Sequence, residues 1–161
     1  MLKFIHANAN VTGSRLVVEA VPAVKDFDGM YKFTITPQSS ASLMRHDGTR
    51  SRAGFPGKSA FFRMSPNQAA HLMLVLSGKA ESINNGKGAF DNGNINDVAD
   101  DYASIFHCDR TATKPYGYDI HIIMKTQGKT VNGRITLNPT EAYLLLKSIE
   151  NSIGRICYEQ K

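Results

Sequence analysis

Cations and one flat ring recur at alternate positions of β-rich runs in this chain. Met30-Tyr31-Lys32-Phe33-Thr34-Ile35-Thr36 carries Lys32, and Ser59-Ala60-Phe61-Phe62-Arg63-Met64 carries Phe61 and Arg63. The run from Tyr116 to Lys125 carries His121 and Lys125, and that from Thr130 to Leu137 carries Arg134. Successive strand side chains point to opposite faces. If Tyr31, Phe33, Ile35, Phe62, Met64, Ile120, Ile122, Met124, Ile135 and Leu137 turn inward, then Lys32, Phe61, Arg63, His121, Lys125 and Arg134 turn outward. Ammonium and guanidinium groups track phosphates, and a flat side chain stacks on a base at about 1–3 kcal/mol per base. The outward set therefore has the chemistry of a surface for single-stranded nucleic acid. A further basic group occupies the segment from Ser39 to Lys58, where Arg45, Arg50, Arg52 and Lys58 face one acid, Asp47, in a loop able to close over a strand. Tyr116 and Tyr118 are additional rings able to stack or to pack, and parity favours packing for Tyr118.

Other chemistries fit poorly. Gly57-Lys58-Ser59 has the tail of a phosphate loop, but Arg52 stands where the first glycine belongs and an alternating strand follows instead of a helix. Asp100-Asp101 near His107-Cys108 lacks a second ligand pair at metal spacing, and Cys157 is remote. We therefore expect no catalytic residues, no metal and no cofactor, and a protein that is not an enzyme.

The elements that must position these residues come in two copies. Ser65-Pro66-Asn67-Gln68 and Asn138-Pro139-Thr140-Glu141 each join a strand to a helix with a polar N-cap, a proline at the first helical position and a Gln or Glu three residues after the cap. Superposing the prolines sets Phe62 on Ile135, Met64 on Leu137, Ala69 on Ala142, Leu72 on Leu145, Met73 on Leu146 and Leu76 on Ile149. Gly29 to Ile35 matches Gly117 to Ile123. The pattern predicts an α+β chain of duplicated ββββα units, with two antiparallel sheets and two helices. The first unit spans about 14–78, with strands at Leu16 to Val21, Met30 to Thr36, a possible third at Ala41 to His46, and Ser59 to Met64. The second spans about 99–156, with strands at Ala103 to Asp109, Tyr116 to Lys125 and Thr130 to Leu137. A Gly- and Asn-rich connection, 79–98, joins them, and residues 2 to 8 read as a short strand or an arm. Helices are expected over about Pro66 to Leu76 and Pro139 to Ile153. Both are apolar over more than one stripe, which calls for burial by the other helix or by another subunit.

With 161 residues, 42% of them hydrophobic, the chain supports one core and one domain. A net charge of +5 and a pI near 9.3 favour a polyanionic partner. Two cysteines make no disulfide scaffold and suit a reducing compartment. Met1 to His6 does not form a signal peptide, and no run reaches the roughly 20 apolar residues of a membrane span. A cytoplasmic protein of a bacterial or phage-infected cell is expected, ahead of an organellar one.

The strand-Ser-Pro-helix and strand-Asn-Pro-helix joints resemble the Whirly family of single-stranded DNA-binding proteins. The likeness rests on Lys58 to Pro66 continuing through Gly78, and on Gly117 to Ile122 with Arg134 to Ala142. One unit alone is similar to the transcriptional positive cofactor four family, and the duplicated fold to kinetoplastid guide-RNA-binding proteins. The family's Lys-Gly-Lys-Ala-Ala-Leu strand corresponds here to Gly13-Ser14-Arg15-Leu16-Val17-Val18, which keeps one cation, Arg15. The resemblance implies two sheets packed roughly perpendicular, subunits associating through helices as a dimer or tetramer, and largely sequence-independent binding of single-stranded DNA in replication, recombination or transcription. RNA binding or annealing by the same fold, and a scaffold subunit without nucleic acid, stay open as alternatives.

Overall fold

The computed structural model describes residues 1–10, 12–38, 55 and 57–157. Ten elements follow in order: β1 (Leu2–His6), β2 (Ser14–Val21), β3 (Met30–Pro37), β4 (Ala60–Met64), α1 (Pro66–Leu76), β5 (Ala89–Asn92), β6 (Tyr102–Arg110), β7 (Tyr118–Thr126), β8 (Lys129–Leu137) and α2 (Pro139–Cys157). They form two antiparallel four-stranded sheets, β1-β2-β3-β4 and β5-β6-β7-β8, each followed by its helix. The duplicated ββββα architecture is thus present. No helix among the described residues is long and apolar enough to cross a membrane.

Both helix starts carry the expected cap chemistry. Ser65 Oγ accepts from Gln68 N at 3.2 Å while Gln68 Oε1 accepts from Ser65 N at 3.0 Å. Asn138 Oδ1 accepts from Glu141 N at 2.8 Å, and Glu141 Oε1 accepts from Asn138 N at 3.1 Å. These bonds satisfy amide groups that a first helical turn leaves without partners.

The strands settle one open expectation and differ from two others. Leu2–His6 is a full sheet member, paired with β2 from Leu2 opposite Val18 to His6 opposite Ser14. Buried Phe4 and a hydrogen bond from His6 Nε2 to Glu141, 2.8 Å, anchor it. In the segment taken as a connection, Ala89–Asn92 is a strand on β6, held by Phe90, whose ring stacks on Phe106 at 6.3 Å. Asn84, Asn85, Gly86 and Gly88, all at positive φ, make the turns before it, and Asn84 Nδ2 donates to Ala89 O at 2.6 Å. The possible strand at Ala41 to His46 lies outside the described residues, and β3 pairs directly with β4.

The second difference is a one-residue slip between the units. Met64 and Leu137 each stand two residues before a helix proline, and their cross-strand partners are Tyr31 and Tyr118. Tyr31 is therefore the counterpart of Tyr118, whereas matching Gly29 to Gly117 would set it on Asp119. The two tyrosines also share a role. Tyr31 OH donates to Ile149 O at 3.1 Å and lies 2.6 Å from Ser152 Oγ, both on α2. Tyr118 OH donates to Val75 O of α1 at 2.9 Å. Each sheet thus grips the helix of the other unit. The loop between β2 and β3 adds to this grip, with Ala23 N donating to Arg155 O and Gly29 N to Ile156 O at 2.9 and 2.7 Å.

The inner faces of the sheets pack on one another around Phe106, whose ring lies 5.2 Å from Phe33 and 5.5 Å from Phe62. Gly133 of β8 meets β3 so closely that a Cβ there would sit 2.7 Å from Ile35 Cβ. Helix α1 packs beside α2, which buries Val75 and half-buries Met73, Leu146 and Ile153. Leu74, Tyr143 and Leu144 stay exposed, so helix pairing covers only part of the surplus apolar surface.

Two outcomes test this packing. Gly133→Val should destabilise the fold by at least about 1–3 kcal/mol in urea unfolding, because core overpacking costs that much, and Tyr31→Phe and Tyr118→Phe should each cost about 1 kcal/mol. Unfolding of Gly133→Val at the wild-type midpoint would contradict the sheet contact.

Burial, with smaller contributions from Asp109 and Asp119, pushes the Cys108 thiol from 9.0 up to about 12, and burial likewise raises Tyr31 and Tyr118. Below about pH 9 folded and unfolded chains both hold the Cys108 proton, so its contribution is full; above it the unfolded chain releases the proton first. Stability should fall between about pH 9 and 12, and Cys108→Ala should reduce that slope although it lowers stability at pH 7. An unchanged slope would show that the thiol is not shielded.

Candidate nucleic-acid interface

Register decides which outward residues meet. Lys32 stands opposite Arg63, and Thr34 opposite Phe61, on the outer face of the first sheet. Lys32 Nζ lies 4.8 Å and Arg63 Cζ 4.9 Å from the centroid of the Phe61 ring. Two cations thus share one ring, each contact favourable by about 0.5–1 kcal/mol at an exposed site. Glu19, beside Lys32 on β2, is the one carboxylate at the outward strand positions of this sheet among the described residues.

Phe61 and Arg63 also form one wall of a cleft of about 270 Å³, with Asn92, Tyr102, Met124 and Lys125 on the other side. Asn92 Nδ2 donates to Arg63 O at 2.8 Å and ties β5 to β4. Lys125 Nζ is held on Asp97 O at 2.6 Å. Tyr102 is 66% exposed, with its hydroxyl 3.4 Å from Gln127 Nε2. From sequence, this strand is expected to start at Ala103, one residue after Tyr102, so the ring is assigned no face. Tyr102 stands at the first position of β6, where the second sheet extends past β4, so the ring lines the cleft instead of the core. A ring at a strand's terminal position was the available signal.

His121 and Arg134 form a separate group on the outer face of the second sheet. Arg134 Nη2 donates to His121 Nδ1 at 3.4 Å, and Arg134 Nε lies 3.6 Å from Asp119 Oδ2. His121 Nε2 donates to Asn132 Oδ1 at 3.3 Å, and its ring stacks on His107 at 5.8 Å. Asp109 stands directly opposite Asp119 and Asp91 opposite Ile105, so carboxylates interrupt the positive charge on this face.

The other expected contacts are dispersed. Arg15 lies on the outer face of β2, half-buried, with its guanidinium 5.3 Å from the Phe55 ring and its Nε buried without a hydrogen-bond partner among the described residues. Lys58 is exposed just before β4. Arg45, Arg50 and Arg52 lie outside the described residues. The structure therefore brings Lys32, Phe61, Arg63 and Lys125 together and sets His121 and Arg134 on the other sheet. Among the described residues no group of three or more His, Cys, Asp or Glu side chains could hold a metal ion.

No protein-family model matches the chain, and no curated protein is similar to it in sequence. Solved structures share its fold. WHY3 from Arabidopsis thaliana superposes with a TM-score of 0.60 at 11% identity, over 95% of this chain and 88% of that one. WHY1 from the same plant gives 0.58 at 9%, over 98% and 86%. A guide-RNA-binding protein complex bound to a guide RNA gives 0.55 at 13%, over 95% and 88%. The fold is Whirly-like.

Proposed function

We propose that this chain is a non-enzymatic protein that binds single-stranded DNA with little sequence preference, in replication, recombination or transcription. The observation that carries the reading is the Phe61 ring with Lys32 and Arg63 against it, at a cleft that also offers Tyr102 and Lys125. Phosphates would lie along Lys32, Arg63 and Lys125 while bases stack on Phe61 and Tyr102. Stacking uses the π-face that every base has, which is why sequence would matter little. The Whirly-like fold and the guide-RNA complex among its structural likenesses support nucleic acid as the ligand class. The latter keeps RNA as the second reading, separable by competition between matched DNA and RNA oligomers.

The exposed Leu74, Tyr143 and Leu144 beside half-buried Met73, Leu146 and Ile153 support self-association through the helices. Leu74→Glu combined with Leu144→Glu should lower the sedimenting mass; an unchanged mass would remove the helices from the interface.

Binding of oligothymidine should weaken steeply with salt, since each neutralised phosphate contributes about −0.7 to the slope of log K against log salt for single strands. Lys32→Ala or Arg63→Ala should flatten that slope by about 0.7, and Phe61→Ala should cost about 1–3 kcal/mol of binding. Arg134→Ala should do less, because Asp119 already engages that guanidinium. Equal affinity at 50 and 500 mM salt, values on the order of those that separate electrostatic from other binding, would sink the proposal.

A further inference from the structure

A second ring with two cations against it stands away from the Phe61 cleft. Arg110 Cζ lies 4.3 Å and Lys114 Nζ 5.8 Å from the centroid of the Tyr116 ring, in the turn between β6 and β7. These residues line an open cleft of about 690 Å³ with Gly78 and Glu81. A smaller hollow of about 230 Å³ continues it past Gly78 and Tyr116 to Tyr143 at the start of α2. The Tyr143 ring carries Lys147 Nζ at 5.6 Å. Tyr143 belongs to the helix face proposed for self-association and Lys147 is paired with Glu150 at 3.0 Å, so the ring and cations open to a strand on this side are Tyr116, Lys114 and Arg110. None of them belongs to the cleft of Phe61, Arg63, Tyr102 and Lys125.

The wall that could repel an anion is neutralised. The end of α1 borders this cleft, and helix C-termini carry partial negative charge on unpaired carbonyls. Here Met73 O accepts from Ser77 N, Leu74 O from Lys79 N and Ala80 N, and Val75 O from Gly78 N and the Tyr118 hydroxyl. Glu81 is the one carboxylate lining the larger cleft, and it lies 3.4 Å from Arg110 as a partner with its side chain 88% exposed. Gly78, at φ +80, has nothing within 4 Å of a notional Cβ, so the floor beside Tyr116 is flat and open.

We propose that the Arg110, Lys114 and Tyr116 cleft is a second site for single-stranded nucleic acid, so that one chain holds two strand segments at once, one on each side. This rests on the reading of the first cleft as a nucleic-acid site. A base stacks on the solvent face of Tyr116 and the adjoining phosphates meet Lys114 and Arg110, with Glu81 displaced toward water. The consequence is a protein that brings two strands together in addition to covering one.

The test uses oligothymidines of about 8 nucleotides, within the range one such site covers, one set carrying a donor dye and the other an acceptor. With the full chain, energy transfer should appear as both oligomers bind. Lys114→Glu and Tyr116→Leu, one reversing an exposed charge and the other keeping apolar volume, should each reduce transfer at least fivefold. Their affinity for a single oligomer, read by anisotropy, should change less than twofold. Transfer that persists in both variants would overturn the second site and assign the pairing to two copies of the first cleft in an oligomer. Absence of transfer in the wild-type chain at saturating oligomer would overturn it equally. Absence of any anisotropy change in the wild type is a different failure, that of the first site. Competition by unlabelled oligouridine separates DNA from RNA as the source of the second strand.

Discussion

A close approach of the two sheets, where Gly133 lies against Ile35, constrains what the rest of the surface can do. Removing one side chain lets the backbones near, and the Phe106 ring fills the space beside them between Phe33 and Phe62. Once both inner faces are spent on each other, polar chemistry is confined to the outward strand positions and to the margins where one sheet overhangs the other. The Phe61 cleft is such a margin: outward Phe61 and Arg63 of β4 meet the first residues of β6 and the last residues of β7, of both parities. Its mixed character, apolar below and cationic at the rim, follows from that geometry.

The exchanged tyrosines explain why the two units make one body. Tyr31 and Tyr118 each bury a ring against their own sheet and hand the hydroxyl to a backbone carbonyl of the opposite helix. A buried carbonyl left without a donor is costly, so these hydroxyls help to fix where the helices sit. The loops behind them do the same for the end of α2, through Ala23 and Gly29. Cross-unit packing accounts for buried Val75 and half-buried Leu146 beyond a single stripe, and leaves Leu74 and Leu144 exposed.

Much of this was legible in the sequence because it is written in local chemistry. Cap residues act over three positions, and the parity of Phe33, Phe62, Ile120 and Ile135 is enforced by a shared core, so helix starts and strand faces could be read directly. Partners far away in the chain could not. Leu2–His6, read as a strand or an arm, is a strand because Phe4 and His6 find β2 and Glu141, and local sequence could not choose between the two. Ala89–Asn92 depends on one phenylalanine amid glycines and asparagines, a composition that by itself means turns. The slip that equates Tyr31 with Tyr118 escaped a match made on glycines, since those glycines serve loops of different length. Tyr102 escaped because it precedes the run read as a strand, Ala103 to Asp109, so no face was assigned to it.

The distribution of carboxylates, more than that of cations, separates the two sheet faces. Both carry Lys, Arg or His at outward positions, but on the second sheet Asp91, Asp109 and Asp119 stand among them and Arg134 is already engaged. A phosphate arriving there must displace an existing partner and pass carboxylates that repel it. On the first sheet Lys32 and Arg63 rest on the Phe61 ring, whose quadrupole attracts them without neutralising their charge. Such a ring holds cations in place while leaving them electrostatically available, which an aspartate does not. Lys114 beside Tyr116 repeats that arrangement on the helix side, while Arg110 there shares its charge with Glu81 at 3.4 Å. An aromatic centre with flanking cations is therefore a better marker of an anion-binding surface in this fold than positive charge alone.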